Sequence, residues 1–303
     1  MEQYCCPFEN RHIERVCWAI TGKCNFRCRH CGFNTPDAAM SEMTYEEAIR
    51  FVDQMADCGV RYLELTGGEP FVREDFWLLV DHIIEKGIKI EKIHTNGWML
   101  MDSILDKFEQ YGVKPEFCVG FDGVERHDWL RGLKGAEQAA LNALRRCYLR
   151  GFPTSVEMCI HRGNVDVLRE TVDVLADSGV GRIVCHPIAD NNDWNHYAAG
   201  NNMSDSEYVE AVLKYIPEYY LDGMRIDVLF EGVVELYKGT VEYRVIYEGD
   251  TNGSLNNKCY ITPDGKMTTY QQLVCLLQEN NLEKVHEVCD EAIRKYCRKH
   301  ESA

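Results

Sequence analysis

A chain of 303 residues with 45% hydrophobic and 27% charged residues has ordinary globular composition, which excludes wholesale disorder. Its 49 acidic residues against 33 basic ones give a net charge of -16, so phosphate backbones and anionic membranes are disfavoured as partners. No run of about 18 apolar residues is present, and the opening Met1-Glu2-Gln3-Tyr4 lacks the basic and apolar regions of a signal peptide. The expectation is a cytoplasmic protein with no membrane and no nucleic acid among its partners.

In chain order, Val16 to Thr21 reads as a strand, followed by a cysteine-rich loop. A helix opens at Thr44, whose T-x-x-E spacing to Glu47 is a capping box, and Gly59 is its stop. Tyr62 to Leu65 is the next strand and Phe76 to Glu85 the next helix. Further strands are predicted at Ile90 to His94, Phe117 to Phe121, Ser155 to Ile160 and Arg182 to His186. The helices between and after them are Asp102 to Tyr111, Ala136 to Arg150, Val165 to Asp177 and Asp205 to Tyr215. Strand–helix alternation with right-handed crossovers implies a parallel sheet that curls one way. A closed eight-unit barrel needs about 250 residues; the alternation here ends sooner, so an open, partial barrel of six units is expected. From about Met224 the pattern changes. Arg225 to Leu229 reads as one more strand, Cys259 to Tyr270 as a hairpin turning at Pro263-Asp264-Gly265, and Leu282 to Arg298 as a terminal helix.

Fifteen cysteines are unusual in a chain expected in a reducing compartment, where clustered thiols suggest metal or redox chemistry before disulfides. Cys24, Cys28 and Cys31 form a C-x3-C-x2-C run directly after the first strand. Three thiolates on one tight loop can converge on one metal centre and leave it an open coordination position. A structural zinc site, completed by His30 or a fourth cysteine, is the plainer alternative.

The context of the run resembles the radical S-adenosylmethionine (SAM) superfamily. The matching residues are the triad, then Thr66-Gly67-Gly68-Glu69-Pro70, Thr95-Asn96-Gly97 and Phe121-Asp122-Gly123, each at a strand carboxyl end. The resemblance covers roughly residues 14 to 190 and implies an α/β fold, a partial (β/α)6 radical SAM barrel with a small C-terminal α+β extension. It implies that Cys24, Cys28 and Cys31 hold a [4Fe-4S] cluster whose open iron binds SAM. The reduced cluster then splits a carbon–sulfur bond of SAM, and a deoxyadenosyl radical takes a hydrogen atom from the substrate. By the same resemblance Gly67 and Gly68 admit the SAM methionyl group, Glu69 accepts from its ammonium, and Asn96 lies in the third motif of the cofactor site. The backbone of His30 meets adenine. Asp122 either contacts ribose or caps its turn. Arg131, in His127-Asp128-Trp129-Leu130-Arg131-Gly132, either positions the SAM carboxylate or makes a surface ion pair. Gly120 stands where relatives often carry serine.

Cys259-Tyr260-Ile261-Thr262-Pro263-Asp264-Gly265-Lys266 resembles the start of a SPASM or twitch extension, which binds auxiliary iron–sulfur clusters. Cys259, Cys275 and Cys297 are its candidate ligands, against the alternative of a simple cap. Cys289 and Cys297 on one continuous helix would be ~12 Å apart along the axis and turned by about 80°, an awkward grip on one cluster. The domain reading is an N-terminal extension at 1–13, the core barrel at 14–223 and the SPASM/twitch-like cap at 224–303.

The expected function is a radical SAM enzyme maturing a ribosomally made peptide, with an electron donor such as flavodoxin or ferredoxin. The alternatives are a dehydrogenase or epimerase acting on a small, sugar-like molecule and, in a different class, a zinc-stabilised binding protein. Epimerases of the family quench the substrate radical with a cysteine thiol. Cys118, Cys159 and Cys185 lie on strands, and Cys185 is the preferred donor, then Cys159, with simple packing as the plainer role for all three.

Overall fold

The computed structural model describes residues 13–32, 42–188, 192–246, 258–269 and 279–300. Six parallel strands form its centre: β1 Arg15–Thr21, β2 Tyr62–Gly67, β3 Lys89–Thr95, β4 Glu116–Gly120, β5 Thr154–Ile160 and β6 Arg182–Pro187. Between and after them run α1 Tyr45–Asp57, α2 Phe76–Glu85, α3 Asp102–Gln110, α4 His127–Arg131, α5 Ala136–Leu149, α6 Leu168–Asp177, α7 Asn192–Tyr197 and α8 Asp205–Leu221. The expected six-unit α/β fold is present.

The C-terminal third adds strands to both edges of this sheet. On one side β7 Asp227–Phe230 pairs parallel with β6, and β8 Val234–Leu236 and β9 Tyr243–Val245 continue antiparallel. On the other side β10 Lys258–Ile261 pairs parallel with β1, and β11 Met267–Thr269 closes its hairpin. Among the described residues the result is one eleven-stranded sheet in the order β11-β10-β1-β2-β3-β4-β5-β6-β7-β8-β9. The terminal helix α9, Glu279–His300, packs on α8.

Local chemistry explains the boundaries. Thr44 and Glu47 make the expected reciprocal cap on α1. On α1 Ala48, Phe51, Val52 and Met55 are buried, and on α2 Phe76, Leu79, Val80 and Ile83, each at the spacing of one helix face. α8 runs six residues beyond its predicted end, through Pro217. Tyr219 and Tyr220 bury a face on the far side of that proline, and packing outweighs the one backbone bond proline removes.

Strand alternation divides the sheet into two faces. Val156, Met158 and Ile160 of β5 join the apolar core under the helices, and Ser155, Glu157 and Cys159 take the opposite face. The same parity puts Lys92 and His94 of β3 and Val184 and His186 of β6 on the inner side. A polar, concave wall therefore lies beneath the loops at the strand carboxyl ends. No helix among the described residues is long and apolar enough to cross a membrane.

Candidate active site

Cys24, Cys28 and Cys31 all line one cavity of about 170 Å³ at the carboxyl end of the sheet. Their loop is braced from three directions. Gly68 N–H donates to Thr21 O at 2.9 Å, and Glu69 N–H donates to Lys23 O at 2.9 Å. Asn96 Nδ2 donates to Asn25 Oδ1 at 2.7 Å and lies 3.9 Å from Cys24 Sγ. Arg29 N–H donates to Leu130 O of α4 at 2.8 Å. The strand ends and α4 thus position the triad through backbone hydrogen bonds, to which Asn96 adds a side-chain one, and all three cysteines line the cavity.

A Cβ on Gly67 would overlap the Thr21 carbonyl, and one on Gly68 would overlap the Lys23 carbonyl. The glycines are expected to leave room for a ligand; what they admit here is the chain's own β1 loop. Glu69 differs from expectation in the same sense. It is fully buried and does not reach the cavity wall. Its Oε2 accepts from Asn96 N at 2.7 Å, and its Oε1 accepts from Thr95 Oγ1 at 2.8 Å and Phe71 N at 3.4 Å. Burial pushes its carboxyl up to about 7 against those hydrogen bonds. Glu69 ties the β2 and β3 turns together, and Asn96 carries the contact to the cysteine loop.

Arg131 lines the cavity beside Cys28, while Asp122 sits behind it. Arg131 Nε donates to Asp122 Oδ2 at 2.6 Å, and Cys159 N donates to Asp122 Oδ1 at 3.1 Å. Burial opposes ionisation of Asp122, but the Arg131 guanidinium holds its carboxyl far below the usual range. The guanidinium lies over Gly120, where any side chain would displace it. Asp122 thus braces Arg131, and Gly120 makes room for the arginine. Asp122→Ala leaves a buried guanidinium unpaired. It is expected to cost about 3–5 kcal/mol, read as a lower denaturant midpoint at unchanged slope.

Cys185, the preferred hydrogen donor from sequence, points the wrong way. It is fully buried in the apolar core beneath α8 and does not line the cavity. The inner face of β6 carries His186 instead, one residue on. Cys118 and Cys159 do line the cavity, as do His30, His94, Glu157 and His186. Burial works against ionising Cys159, yet His30 and His186 bring its thiol down to about 6. Sequence reading passed over His94, Glu157 and His186. Their signal was polar residues two apart inside otherwise buried strands, as in Lys92-Ile93-His94 and Glu157-Met158-Cys159.

Two of the three auxiliary-ligand candidates lie among the described residues. Cys259 is buried in the apolar core, Cys297 is half-buried on α9, and Cys275 lies outside the described residues. α9 is continuous from Glu279 to His300, so Cys289 and Cys297 are separated as the helix geometry requires. No group of three metal-donor side chains among the described residues includes any of them.

The triad itself fits an iron–sulfur cluster. Burial pushes the Cys28 thiol up to about 12 and raises Cys24 as well, so isolated thiols there would stay protonated. A bound cation is what deprotonates buried thiols, and the donors that favour sulfur charge are in place. Phe26 N–H donates to Cys24 Sγ at 3.3 Å, and Arg131 lies near Cys28.

A family model described as the radical SAM superfamily matches residues 18–175. The chain is 30% identical over 167 residues to an AdoMet-dependent heme synthase of Methanosarcina barkeri, covering 54% of this chain and 47% of that protein. It is 30% identical over 165 residues to the mycofactocin maturase MftC of Mycolicibacterium smegmatis, covering 54% of this chain and 41% of that one. The chain thus matches less than half the length of these two relatives. Among solved structures, Streptococcus suis SuiB bound to S-adenosylmethionine superposes with a TM-score of 0.64 at 16% identity, covering 88% of this chain and 62% of SuiB. The same protein has also been solved with its precursor peptide SuiA.

Proposed function

This chain belongs to the radical SAM superfamily of enzymes, and on that premise we propose that it abstracts a hydrogen atom from a ribosomally made peptide during that peptide's maturation. The observation that carries the reading is that Cys24, Cys28, Cys31, Gly67, Gly68 and Arg131 share one cavity. A [4Fe-4S] cluster held by the three cysteines supplies, when bound, the single electron that splits SAM.

The chain's own residues do the rest. Arg131, locked by Asp122, presents a fixed positive charge at the cavity wall, suited to the SAM carboxylate. Asn96 holds the cysteine loop in register and offers its amide to the cavity. His30 lines the wall beside the triad. The inner strand face, with His94, Glu157, Cys159 and His186, meets the substrate. Residues 14–223 carry the chemistry in this reading, and the strands β7 to β11 of the 224–303 extension flank them at the two edges of the sheet. The electron comes from a flavodoxin- or ferredoxin-like donor in the cytoplasm, where thiols stay reduced.

The peptide reading draws on the mycofactocin maturase and on SuiB. A second reading, a small-molecule dehydrogenase or epimerase, draws on the heme synthase, which matches at the same identity over the same share of this chain. One experiment separates them. The chain is reconstituted anaerobically with iron and sulfide, then given SAM, a low-potential reductant and candidate peptides encoded beside its gene. Release of 5'-deoxyadenosine with a mass change in a peptide is the expected result. A mass change confined to a small molecule selects the second reading. An intact cluster that releases no deoxyadenosine overturns both.

A further inference from the structure

The inner face of the sheet holds a second donor cluster that the cysteine triad does not use. His94 on β3 stands directly opposite Cys118 on β4, and Glu157 on β5 lies one diagonal step further, opposite Gly120. One ligand atom from each of His94, Cys118 and Glu157 lies within 4.8 Å of the other two. His94 Nδ1 is 3.4 Å from Glu157 Oε1. A charge-assisted hydrogen bond between such groups runs ~2.7–2.9 Å. Two donors on a tetrahedral zinc ion, each ~2.0–2.3 Å from the metal, stand about 3.3–3.6 Å apart. The observed spacing is that of two corners of a coordination tetrahedron.

The surroundings complete the pattern. His94 Nε2 lies 3.4 Å from Glu64 Oε2. An imidazole that gives Nδ1 to a metal keeps its proton on Nε2, and a carboxylate there fixes the ring and strengthens the ligand. Glu64 occupies that position. His94, Cys118 and Glu157 all line the cavity that the cysteine triad also lines. The fourth coordination position therefore opens toward the space where substrate must lie.

We propose that His94, Cys118 and Glu157 form a mononuclear zinc site whose fourth position takes a carbonyl or carboxylate oxygen of the substrate. One nitrogen, one sulfur and one oxygen donor with an open position is the composition of a zinc site that handles substrate, where closed structural sites use four protein ligands. Bound there, the ion orients the substrate and polarises the oxygen it holds. The substrate role rests on the function proposed above; the zinc site itself does not. Cys17, Glu64 and His94 form a competing set around the same ring. Cys17 and Glu64 lie outside the cavity lining, so an ion there would have no access to substrate.

The test is a titration with zinc and then cobalt(II) under anaerobic conditions. The first protein is the full chain carrying Cys24→Ala, Cys28→Ala and Cys31→Ala, which removes the competing thiolates. One tightly held zinc per chain is expected, and cobalt should show a thiolate charge-transfer band. Adding Cys118→Ser should remove the band, and adding His94→Gln should weaken zinc at least tenfold. Adding Cys17→Ser should change neither. The second protein is the wild-type chain with its cluster in place, zinc and iron being counted separately. Cys118→Ser there should lose the zinc and keep the iron, so a folding defect in the triple variant leaves the question decidable. No zinc beyond the cluster site in the wild-type chain overturns the proposal and leaves the inner face a ladder of ion pairs. Loss of the band with Cys17→Ser but not Cys118→Ser overturns it as well. Zinc binding without SAM cleavage refutes the proposed function alone, and SAM cleavage without zinc refutes this site alone.

Discussion

Replacing Cys24, Cys28 and Cys31 together with alanine is expected to reduce 5'-deoxyadenosine release to the level seen without protein. Each cysteine lines the same cavity, and burial pushes up the Cys28 and Cys24 thiols, so a bound metal is what would hold them in the charged form. Enzymic accelerations are typically about a million-fold or more, so the loss should be at least about a thousand-fold, limited by detection. Iron and sulfide content should fall with it. The variant should remain folded, because its loop is tied down by backbone bonds at Gly68, Glu69 and Arg29 that do not involve sulfur. Deoxyadenosine release at the wild-type rate would remove the triad from the chemistry altogether.

The second large effect is expected from a residue with no functional group. Gly68→Ala places a Cβ against the Lys23 carbonyl and 3.0 Å from the Cys24 Cβ. Backbone cannot rotate out of the way as a side-chain tip can, so the β1 loop must shift. Lys23 precedes Cys24 directly, and the shift is delivered to the first thiolate. Overpacking of this kind costs about 1–3 kcal/mol. The more telling readout is iron content after anaerobic reconstitution, expected to fall several-fold. Gly59→Ala is the control. Its φ of 87° strains an alanine, but nothing stands within 4 Å of the new Cβ, so stability should drop by about 1–2 kcal/mol with full iron content. Equal iron in the two variants would show that the close approach of the β1 and β2 loops at Gly68 does not reach the cysteines.

The elements that could be read from sequence are those whose physics is local. α2 was predicted at its observed bounds because Phe76, Leu79, Val80 and Ile83 repeat at helical spacing. The Thr44 cap was legible because both halves of the box lie within four residues. The cysteine triad was legible for the same reason. Cys185 misled because β6 reads Ile183-Val184-Cys185-His186, where neither parity is plainly polar, and only packing against α8 fixes which face is inside. Glu69 and Asp122 were found as residues but not as contacts. Their partners, Asn96 and Arg131, come from different turns, and no spacing in the chain records that meeting. Gly120 looked like a missing serine, when it is the space that Arg131 fills.

The strand that carries the cysteine loop is bordered on one side by β2 and on the other by β10, with Arg15 opposite Lys258. During synthesis β2 emerges within seconds of β1, but more than 200 residues separate β1 from β10. At ~5–20 residues per second the ribosome takes about 12–50 s to supply that partner. Over this interval the buried run Val16 to Ile20 offers an unpaired edge beside the three thiols. The β10–β11 hairpin that shields the first strand leaves the ribosome long after it, and a nascent chain arrested before residue 258 keeps that edge open to edge-to-edge aggregation.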